Sequence, residues 1–306
     1  MDLDFLYLLQ EARNPVMNAI MNAFSFFASE YAVLIIICLF YWCYEKRLAY
    51  KICLTFLFSA TAVHGLKIIL KIPRPFVRDP ERLFVDKVAK GDATGYSFPS
   101  GHTNSATSLY APIALHTKKK WLSALMYVLI ALVMFSRMYL GCHTPQDVIV
   151  SFVISFAVAI VIDRLMEKTD LDDKKCLYLA LVGLAITVAV LVYAIITMTP
   201  ENLPNILDVF KMSGLVIGFT VGWFIEATRI KYDSSKDRRI LTVILKMLAG
   251  AAVALVLQQG LKILFSHILN ADPLDEIMIP VHIVRYLLVG LWVPAGYPAI
   301  LKKLGK

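Results

Sequence analysis

Charged residues are scarce in this sequence. Asp, Glu, Lys and Arg make up 18% of its 306 residues, whereas a soluble domain contains roughly 25%. Apolar residues make up 58%, and the mean hydropathy is +0.67. This composition leaves too little polar surface for a water-soluble globule of this size. It therefore excludes a soluble single-domain protein.

Paired cysteines and metal-ligand clusters are also lacking. The five cysteines include no C-x-x-C pair and mostly lie in apolar runs, so we expect neither disulfides nor a zinc site. No Asp, Glu or His cluster has metal-ligand spacing, so we expect no metal and no cofactor. The N-terminus has no basic start and no cleavage site, so we expect the first spans to remain in the mature protein.

The net charge of +8 has a simpler explanation than nucleic-acid binding. The basic residues are gathered in short segments between apolar runs, as topology signals and contacts to anionic lipids require. We see no basic stripe interleaved with aromatic residues, which nucleic-acid binding would favour. The expected partners are membrane lipids. Nucleic acid is not expected, and the oligomeric state is left open.

Apolar runs approach the roughly 20 residues that a helix needs to cross a bilayer. They predict an all-α polytopic membrane bundle of ten helices, preceded by an interfacial amphipathic helix near residues 3–10. The predicted spans lie near residues 14–28, 31–44, 50–70, 101–116, 121–139, 146–164, 177–198, 207–228, 240–266 and 280–300.

Basic residues fall in alternate loops of this predicted topology. Three connections, at 29–30, 199–206 and 267–279, contain no Lys or Arg, so the positive-inside rule places them outside the cytoplasm. Both termini are then cytoplasmic. The two other outer segments, 71–100 and 137–143, hold seven Lys and Arg residues between them, six of them in 71–100, which indicates a local need for cations. The predicted cytoplasmic segments are 46–47, 118–120, 164–175, 229–239 and 302–306.

The first motif is K-x6-R-P, formed by Lys67, Arg74 and Pro75. Seven residues correspond to two helical turns, so the two cations would project from one face toward one point. A guanidinium beside an ammonium suits a phosphate dianion. The alternative is a pair of cations that extend to the membrane interface.

The second motif is P-S-G-H, which spans Pro99 to His102 and opens the predicted fourth span. Ser100 is a suitable N-cap, and Gly101 would let an anion approach the free backbone N–H groups at the helix start. His102 then lies where it could donate a proton. The alternative is a capped helix start with an incidental histidine.

The third motif is S-R-x5-H-x3-D, which contains Arg137, His143 and Asp147. Thr144 and Pro145 read as the N-cap and first residue of the next helix, with Asp147 at its third position. Asp147 could accept a hydrogen bond from one ring nitrogen of His143 and leave the other as a nucleophile or base. Asp147 could also simply cap the helix, and the two uses are compatible.

The three motifs occur together in one chain. By uniform-composition arithmetic, their joint chance occurrence is on the order of one in ten million. Independent structural accidents do not explain such a combination. All three motifs fall at outward membrane faces of the predicted topology, so they can converge on one site.

These motifs resemble the tripartite signature of the type 2 phosphatidic acid phosphatase (PAP2) superfamily. The resemblance covers roughly residues 1–165 and includes the segments 13–15 and 41–43. It implies a six-helix catalytic core and metal-independent hydrolysis of phosphate esters through a phosphohistidine. It also implies a nucleophile, its orienting partner and a general acid, which are His143, Asp147 and His102, in that order. The phosphate-binding residues that it implies are Lys67, Arg74, Ser100, Gly101 and Arg137.

Residues 166–306 form a predicted accessory region of about four transmembrane helices. This region contains neither a second His-x3-Asp nor a second P-S-G-H, so we do not expect it to be catalytic. Lys262 and Arg285 fall at the outer ends of its last two spans and are possible lipid-headgroup contacts. The alternative is that these cations satisfy helix ends and neighbouring groups.

The expected function is a membrane lipid phosphatase that acts at the extracytoplasmic leaflet of the cell membrane. The expected substrate is a lipid phosphate, because a cradle near the interface admits a headgroup while its chains stay in lipid. Among such lipids, phosphatidate or phosphatidylglycerophosphate is expected first. Hydrolysis of undecaprenyl diphosphate and phosphotransfer to another acceptor remain alternatives. A different class, a protein that binds or translocates lipids, also fits the extra spans.

Overall fold

The computed structural model describes residues 3–168, 173–234 and 238–305. Helices dominate these ranges and no strand occurs in them. Seven helices are long and apolar enough to cross a membrane, which confirms the predicted all-α membrane fold. Parts of two predicted cytoplasmic loops, residues 169–172 and 235–237, lie outside the described ranges.

A helix occupies each of the ten predicted span positions. The first two predicted spans are short helices that are long enough to cross a membrane only when taken together as a bent pair. The fourth predicted span is a helix of only 16 residues. In chain order the α-helices are α1 Asp4–Glu11, α2 Pro15–Phe26, α3 Glu30–Leu39, α4 Lys46–Leu70, α5 Pro75–Arg78, α6 Lys87–Gly91, α7 Gly101–His116, α8 Lys120–Tyr139, α9 Pro145–Lys168, α10 Asp173–Ile196, α11 Leu203–Ile225, α12 Ile240–Leu255, α13 Leu261–Leu269, α14 Ile279–Leu291 and α15 Tyr297–Lys303.

The chain divides into two compact units. Unit 1 comprises Met1–Leu34 and Lys51–Arg164, and unit 2 comprises Ile35–Tyr50 and Leu165–Lys306. Unit 2 thus includes a segment from the first part of the chain as well as the C-terminal helices. The division into a catalytic core at 1–165 and an accessory region at 166–306 stays a prediction.

Polar side chains cap the first turns of several helices in unit 1. The side chain of Asn14 accepts a hydrogen bond from the Met17 N–H at 2.9 Å, directly before Pro15 starts α2. Ser100 caps α7, as predicted, by accepting a bond from the Thr103 N–H at 3.4 Å. Such caps satisfy N–H groups that have no partner within the helix. They therefore position the residues next to each helix start.

An apolar cluster holds the turn between α8 and α9. Met21 of α2, Ala89 of α6 and Cys142 are buried together with Leu140 and Ala93. Phe76, Val85 and Phe135 pack against the cluster from its margin. This packing anchors the turn that carries His143.

In unit 2, α11 and α14 pack with their backbones in close approach. A Cβ atom at Gly218 would lie 2.1 Å from the Leu287 carbonyl oxygen, and one at Gly214 would lie 2.3 Å from that of Ile283. Real Cβ contacts are never that short, so only glycine fits. Small residues that lie four positions apart on a membrane helix allow this close packing.

Candidate active site

His143 lies in the turn between α8 and α9 and is 1% exposed. Its Nδ1 is 3.5 Å from Asp147 Oδ2, and its Nε2 is 3.2 Å from Arg74 Nη1. The two ring nitrogens therefore face groups of opposite charge. The carboxylate can hold a proton on Nδ1, and this tautomer leaves the lone pair of Nε2 beside a guanidinium.

The Asp147 carboxylate has three neighbours. Its Oδ2 accepts hydrogen bonds from Ser97 Oγ at 2.6 Å and from the Thr144 N–H at 2.7 Å, in addition to facing His143. Thr144 Oγ1 in turn accepts from the Asp147 N–H at 3.3 Å. Asp147 thus caps α9 and faces the histidine at the same time. The structure therefore contains both the cap and the contact between Asp147 and His143.

Backbone carbonyls of residues 94–96 hold two of the predicted phosphate-binding cations. Arg74 donates from Nη2 to Thr94 O at 2.7 Å and from Nε to Gly95 O at 3.1 Å. Lys67 donates from Nζ to Tyr96 O at 2.7 Å. Both side chains are 5% exposed. The loop before α7 thereby orients both members of the K-x6-R pair.

Arg137, the third predicted cation, is 1% exposed. Its Nη1 donates to Ser25 Oγ at 2.6 Å, whereas Nε and Nη2 are buried without a hydrogen-bond partner in the described structure. Leaving a charged donor buried and unpaired costs at least about 1–3 kcal/mol. The guanidinium therefore has two donors available for an anion.

His102 is the second residue of α7 and is partly buried. Its ring interacts electrostatically with Arg137, His143, Arg74 and Lys67, in decreasing order. The two motif histidines thus lie among the same cations of unit 1. The structure brings together Lys67, Arg74, His102, Arg137, His143 and Asp147.

Ser100 and Gly101 occupy the start of α7. Ser100 is fully buried, and its Oγ accepts hydrogen bonds from the N–H and the hydroxyl of Thr103. Its own N–H donates to Asp147 O at 3.1 Å, which joins the start of α7 to the start of α9. At Gly101, an added Cβ would meet no other part of the described chain within 4 Å. The backbone at this helix start is therefore approachable.

The environment of His143 favours its neutral form. Burial lowers the pKa of His143 below its usual 6.5, and the positive charges of Arg74 and Arg137 lower it further. The hydrogen bond and negative charge of Asp147 oppose this shift without reversing it. A ring that stays neutral keeps the lone pair on Nε2 available.

The structure also shows polar contacts that the motifs did not predict. Ser97 bridges the site, since its Oγ lies 2.6 Å from Asp147 Oδ2 and 3.3 Å from His143 Nδ1. Ser25 of α2 holds Arg137. The only sequence signal for Ser97 is its position three residues before Ser100, and Ser25 has none.

Two other cations of unit 1, Arg13 and Arg82, make structural contacts. The Arg82 guanidinium lies 4.3 Å from the centroid of the Tyr7 ring, and Arg13 donates from Nε to Tyr139 O at 2.7 Å. Asp86 accepts hydrogen bonds from Asn18 at 3.1 Å and Asn22 at 3.0 Å. Burial raises the pKa of Asp86, but these amides, backbone N–H groups and Arg13 outweigh it, so the net pKa is lowered. These contacts tie α1 and the start of α2 to the segment before α7. The N-terminus therefore lies on the same side as residues 71–100, so the prediction that places that segment outside and the N-terminus in the cytoplasm is wrong.

The predicted headgroup contacts lie in unit 2. Lys262 is on α13 and Arg285 is on α14, whereas every other predicted site residue belongs to unit 1. Across the described residues, no group of three or more His, Cys, Asp or Glu side chains could hold a metal ion.

Two family models match the chain. The model described as PAP2 superfamily matches residues 48–170, and the model described as PAP2 superfamily phosphatase, transmembrane extension, matches residues 210–306. Together the two matches cover more than two thirds of the chain. The first contains all eight motif residues of the predicted site.

Curated relatives and a solved structure are also similar to this chain. Lipid phosphate phosphatase delta of Arabidopsis thaliana is 26% identical over 172 residues, covering 53% of this chain and 41% of the relative. Phosphatidylglycerophosphatase B of Escherichia coli K12 is 40% identical over 78 residues, covering 24% and 31%. The chain thus spans less than half the length of these relatives. The crystal structure of Aquifex aeolicus LpxE aligns with a TM-score of 0.48 at 24% identity, covering 53% of this chain and 94% of that one. From the two family matches, this chain belongs to the PAP2 superfamily.

Proposed function

We propose that this chain is a membrane lipid phosphatase that removes a phosphate group from a lipid through a phosphohistidine at His143. The observation that carries the proposal is the orientation of the His143 ring, with Nδ1 toward Asp147 and Nε2 toward Arg74. The curated relatives, which are named for lipid phosphates and phosphatidylglycerophosphate, support the substrate class.

The first half-reaction transfers the phosphoryl group to the protein. The lone pair on His143 Nε2 forms a bond to phosphorus while the bond between phosphorus and the lipid oxygen breaks. His102 donates a proton to that oxygen, and the lipid leaves as an alcohol. Asp147 remains a carboxylate and stabilises the positive charge that the His143 ring acquires.

The second half-reaction restores the histidine. A water molecule attacks phosphorus and gives its proton to His102, and the bond between phosphorus and Nε2 breaks. Inorganic phosphate is released, and both rings return to their starting protonation states. The two steps together consume one water and balance in protons.

The cations support this chemistry by binding the equatorial oxygens of the phosphoryl group. Arg137 has two buried donors without partners, and Arg74 and Lys67 add two further charges nearby. The approachable backbone of Gly101 adds the N–H groups of a helix start. Charge spreads over three oxygens in phosphoryl transfer, and preorganised donors stabilise it best in a dry site.

The proposed substrate class and side of the membrane rest on where the site lies in the predicted topology. The positive-inside rule puts the site at the extracytoplasmic leaflet of the cell membrane. There a phosphatidate or phosphatidylglycerophosphate headgroup can enter while its chains remain in lipid. Undecaprenyl diphosphate is the competing substrate, and transfer to an acceptor other than water is the competing reaction.

Phosphate release from detergent-solubilised lipid phosphates tests the proposal. With phosphatidate, phosphatidylglycerophosphate and undecaprenyl diphosphate as substrates, one of the first two should turn over fastest. His143→Ala should lower kcat by about a thousandfold or more. Activity should persist in excess EDTA, because Lys67, Arg74 and Arg137 supply the positive charge.

His267→Ala is the matched control, since His267 is an exposed histidine of unit 2. It should keep the activity of the unchanged protein. Turnover that survives in His143→Ala would overturn the phosphohistidine. Lipid binding without release of phosphate from any substrate would favour the lipid-binding or lipid-translocating alternative.

A further inference from the structure

Unit 2 contains a cluster of basic side chains from three helices. Lys211 of α11, Lys262 of α13 and Arg285 of α14 interact electrostatically with one another or with His282 of α14. Arg285 is 4% exposed and His282 is 1% exposed. Intramembrane cations are costly and need partners, so a cluster of them requires an explanation.

Carboxylates balance this cluster only in part. Asp208 pairs with Lys211 at 2.8 Å, and Asp272 attracts Lys262 from a greater distance. Among the residues that the structure describes, neither Lys262 nor Arg285 forms an ion pair. The cluster therefore retains an excess of positive charge that an anion would neutralise.

Several buried polar atoms of the cluster have no partner within the described chain. Arg285 donates from Nη1 to Gln258 O at 2.9 Å, but its Nε is unpaired. Gln258, in the π-helical turn Val256–Gly260, has an unpaired Oε1. His282 Nε2 lies 2.8 Å from Pro273 O and must donate to it, which leaves Nδ1 as an unpaired acceptor. One donor and two acceptors are thus available for hydrogen bonds to a ligand.

Lys262 lies close to the expected boundary between the hydrocarbon core and the lipid headgroups. The span Ile240–Leu269 has 30 residues and is about 45 Å long. This exceeds the roughly 30 Å hydrocarbon core by about 15 Å, so several ångströms at each end lie among headgroups. Lys262 is seven residues before Leu269 and therefore lies about 10 Å from that end. Its long side chain can reach the boundary between hydrocarbon and headgroups.

We propose that Lys211, Lys262 and Arg285 bind the phosphate of an anionic phospholipid headgroup. Gln258 Oε1 and His282 Nδ1 accept hydrogen bonds from hydroxyl groups of the same headgroup. A phosphodiester with a glycerol headgroup supplies both the negative charge and the hydroxyl donors. The site is distinct from the phosphatase site, because its residues belong to unit 2 and it binds a diester.

Native mass spectrometry of the full-length protein with added phosphatidylglycerol measures this binding. Lys262→Gln should lower the affinity about tenfold, the equivalent of one charge-assisted hydrogen bond. The Lys262 side chain makes no hydrogen bond within the described chain, so this substitution leaves internal contacts intact. Arg285→Gln should lower the affinity at least as much. Lys303→Gln removes the same charge from an exposed position of α15 and should change nothing.

Four probes identify the ligand. Phosphatidylglycerol should bind more tightly than phosphatidylmethanol, a diester without a free hydroxyl, and far more tightly than zwitterionic phosphatidylcholine. Inorganic phosphate at millimolar concentration should not displace the lipid. Equal binding of phosphatidylglycerol by Lys262→Gln and the unchanged protein would overturn the site, as would equal binding of phosphatidylcholine. Displacement by inorganic phosphate would overturn the assignment to a lipid.

Discussion

His143 experiences opposing influences from its neighbours. Burial and the charges of Arg74 and Arg137 favour the neutral ring, whereas Asp147 favours the protonated one. The spacing of four residues between His143 and Asp147 predicted their proximity. It did not predict Ser97, which donates to the same carboxylate oxygen. A carboxylate that accepts several hydrogen bonds stays ionised, so it can stabilise a charged intermediate on the ring.

The pH dependence of kcat/KM should report the His143 pKa, because only the neutral ring can attack phosphorus. Since this pKa is lowered, the acid limb of the profile should lie below pH 6.5, the usual value for histidine. Arg137→Gln removes a positive charge that lowers the pKa, so the limb should move toward higher pH. The measurement is kcat/KM between about pH 4 and 8.

Arg137→Lys is the matched control for this shift. It keeps the positive charge, so its acid limb should stay near that of the unchanged protein even if its kcat falls. Titration of the substrate phosphate contributes equally to all three profiles. Coincident acid limbs for Arg137→Gln and Arg137→Lys would contradict the electrostatic coupling to His143.

At the scale of helices and loops, caps and close packing position the residues. Thr144 and Asp147 cap α9, and Ser100 caps α7, so two of the motifs coincide with helix starts. Their N-cap signals are local and were predictable from sequence. The loop 94–97 has no periodicity of its own, and its carbonyl contacts to Lys67 and Arg74 were not predicted.

Gly218→Ala tests the close packing of α11 on α14. The added Cβ would lie 2.1 Å from the Leu287 carbonyl oxygen, so the two helices must separate. Overpacking of this kind costs about 1–3 kcal/mol. We expect a lower thermal midpoint in detergent, measured by the fraction of monodisperse protein that survives heating.

Gly260→Ala provides the control within the same unit. Its Cβ would make only an ordinary contact, 3.5 Å from a Val256 methyl carbon. Alanine favours helix by up to about 1 kcal/mol over glycine, so this variant should melt at the same temperature or slightly higher. If both variants melted alike, the close approach of α11 and α14 would not contribute to stability.

At the scale of the whole molecule, the charge distribution predicts which side of the membrane each loop faces. The segment with α6 should be extracytoplasmic and the end of α15 cytoplasmic. Val88 of α6 is 71% exposed, and Lys303 of α15 is also exposed. Both positions can therefore report topology without disturbing the interior.

Val88→Cys should react with a membrane-impermeant maleimide on intact cells, whereas Lys303→Cys should react only after permeabilisation. The unchanged protein sets the background, and four of its cysteines, Cys38, Cys43, Cys53 and Cys142, are buried. The reverse labelling pattern would place the phosphatase site on the cytoplasmic side. It would leave the proposed chemistry intact and change the accessible lipid pool.

The amino-acid sequence by itself determined the membrane class, the positions of the ten helices and the identity of the three motifs, because hydropathy, helix periodicity and capping are properties of neighbouring residues. Only the tertiary structure decided that Ser97 bridges Asp147 and His143, that Ser25 holds Arg137, and that residues 35–50 belong with the C-terminal helices. These contacts join residues from 46 to 112 positions apart in the chain. Such distant pairs follow from how helices pack and loops run in space, which no local pattern specifies.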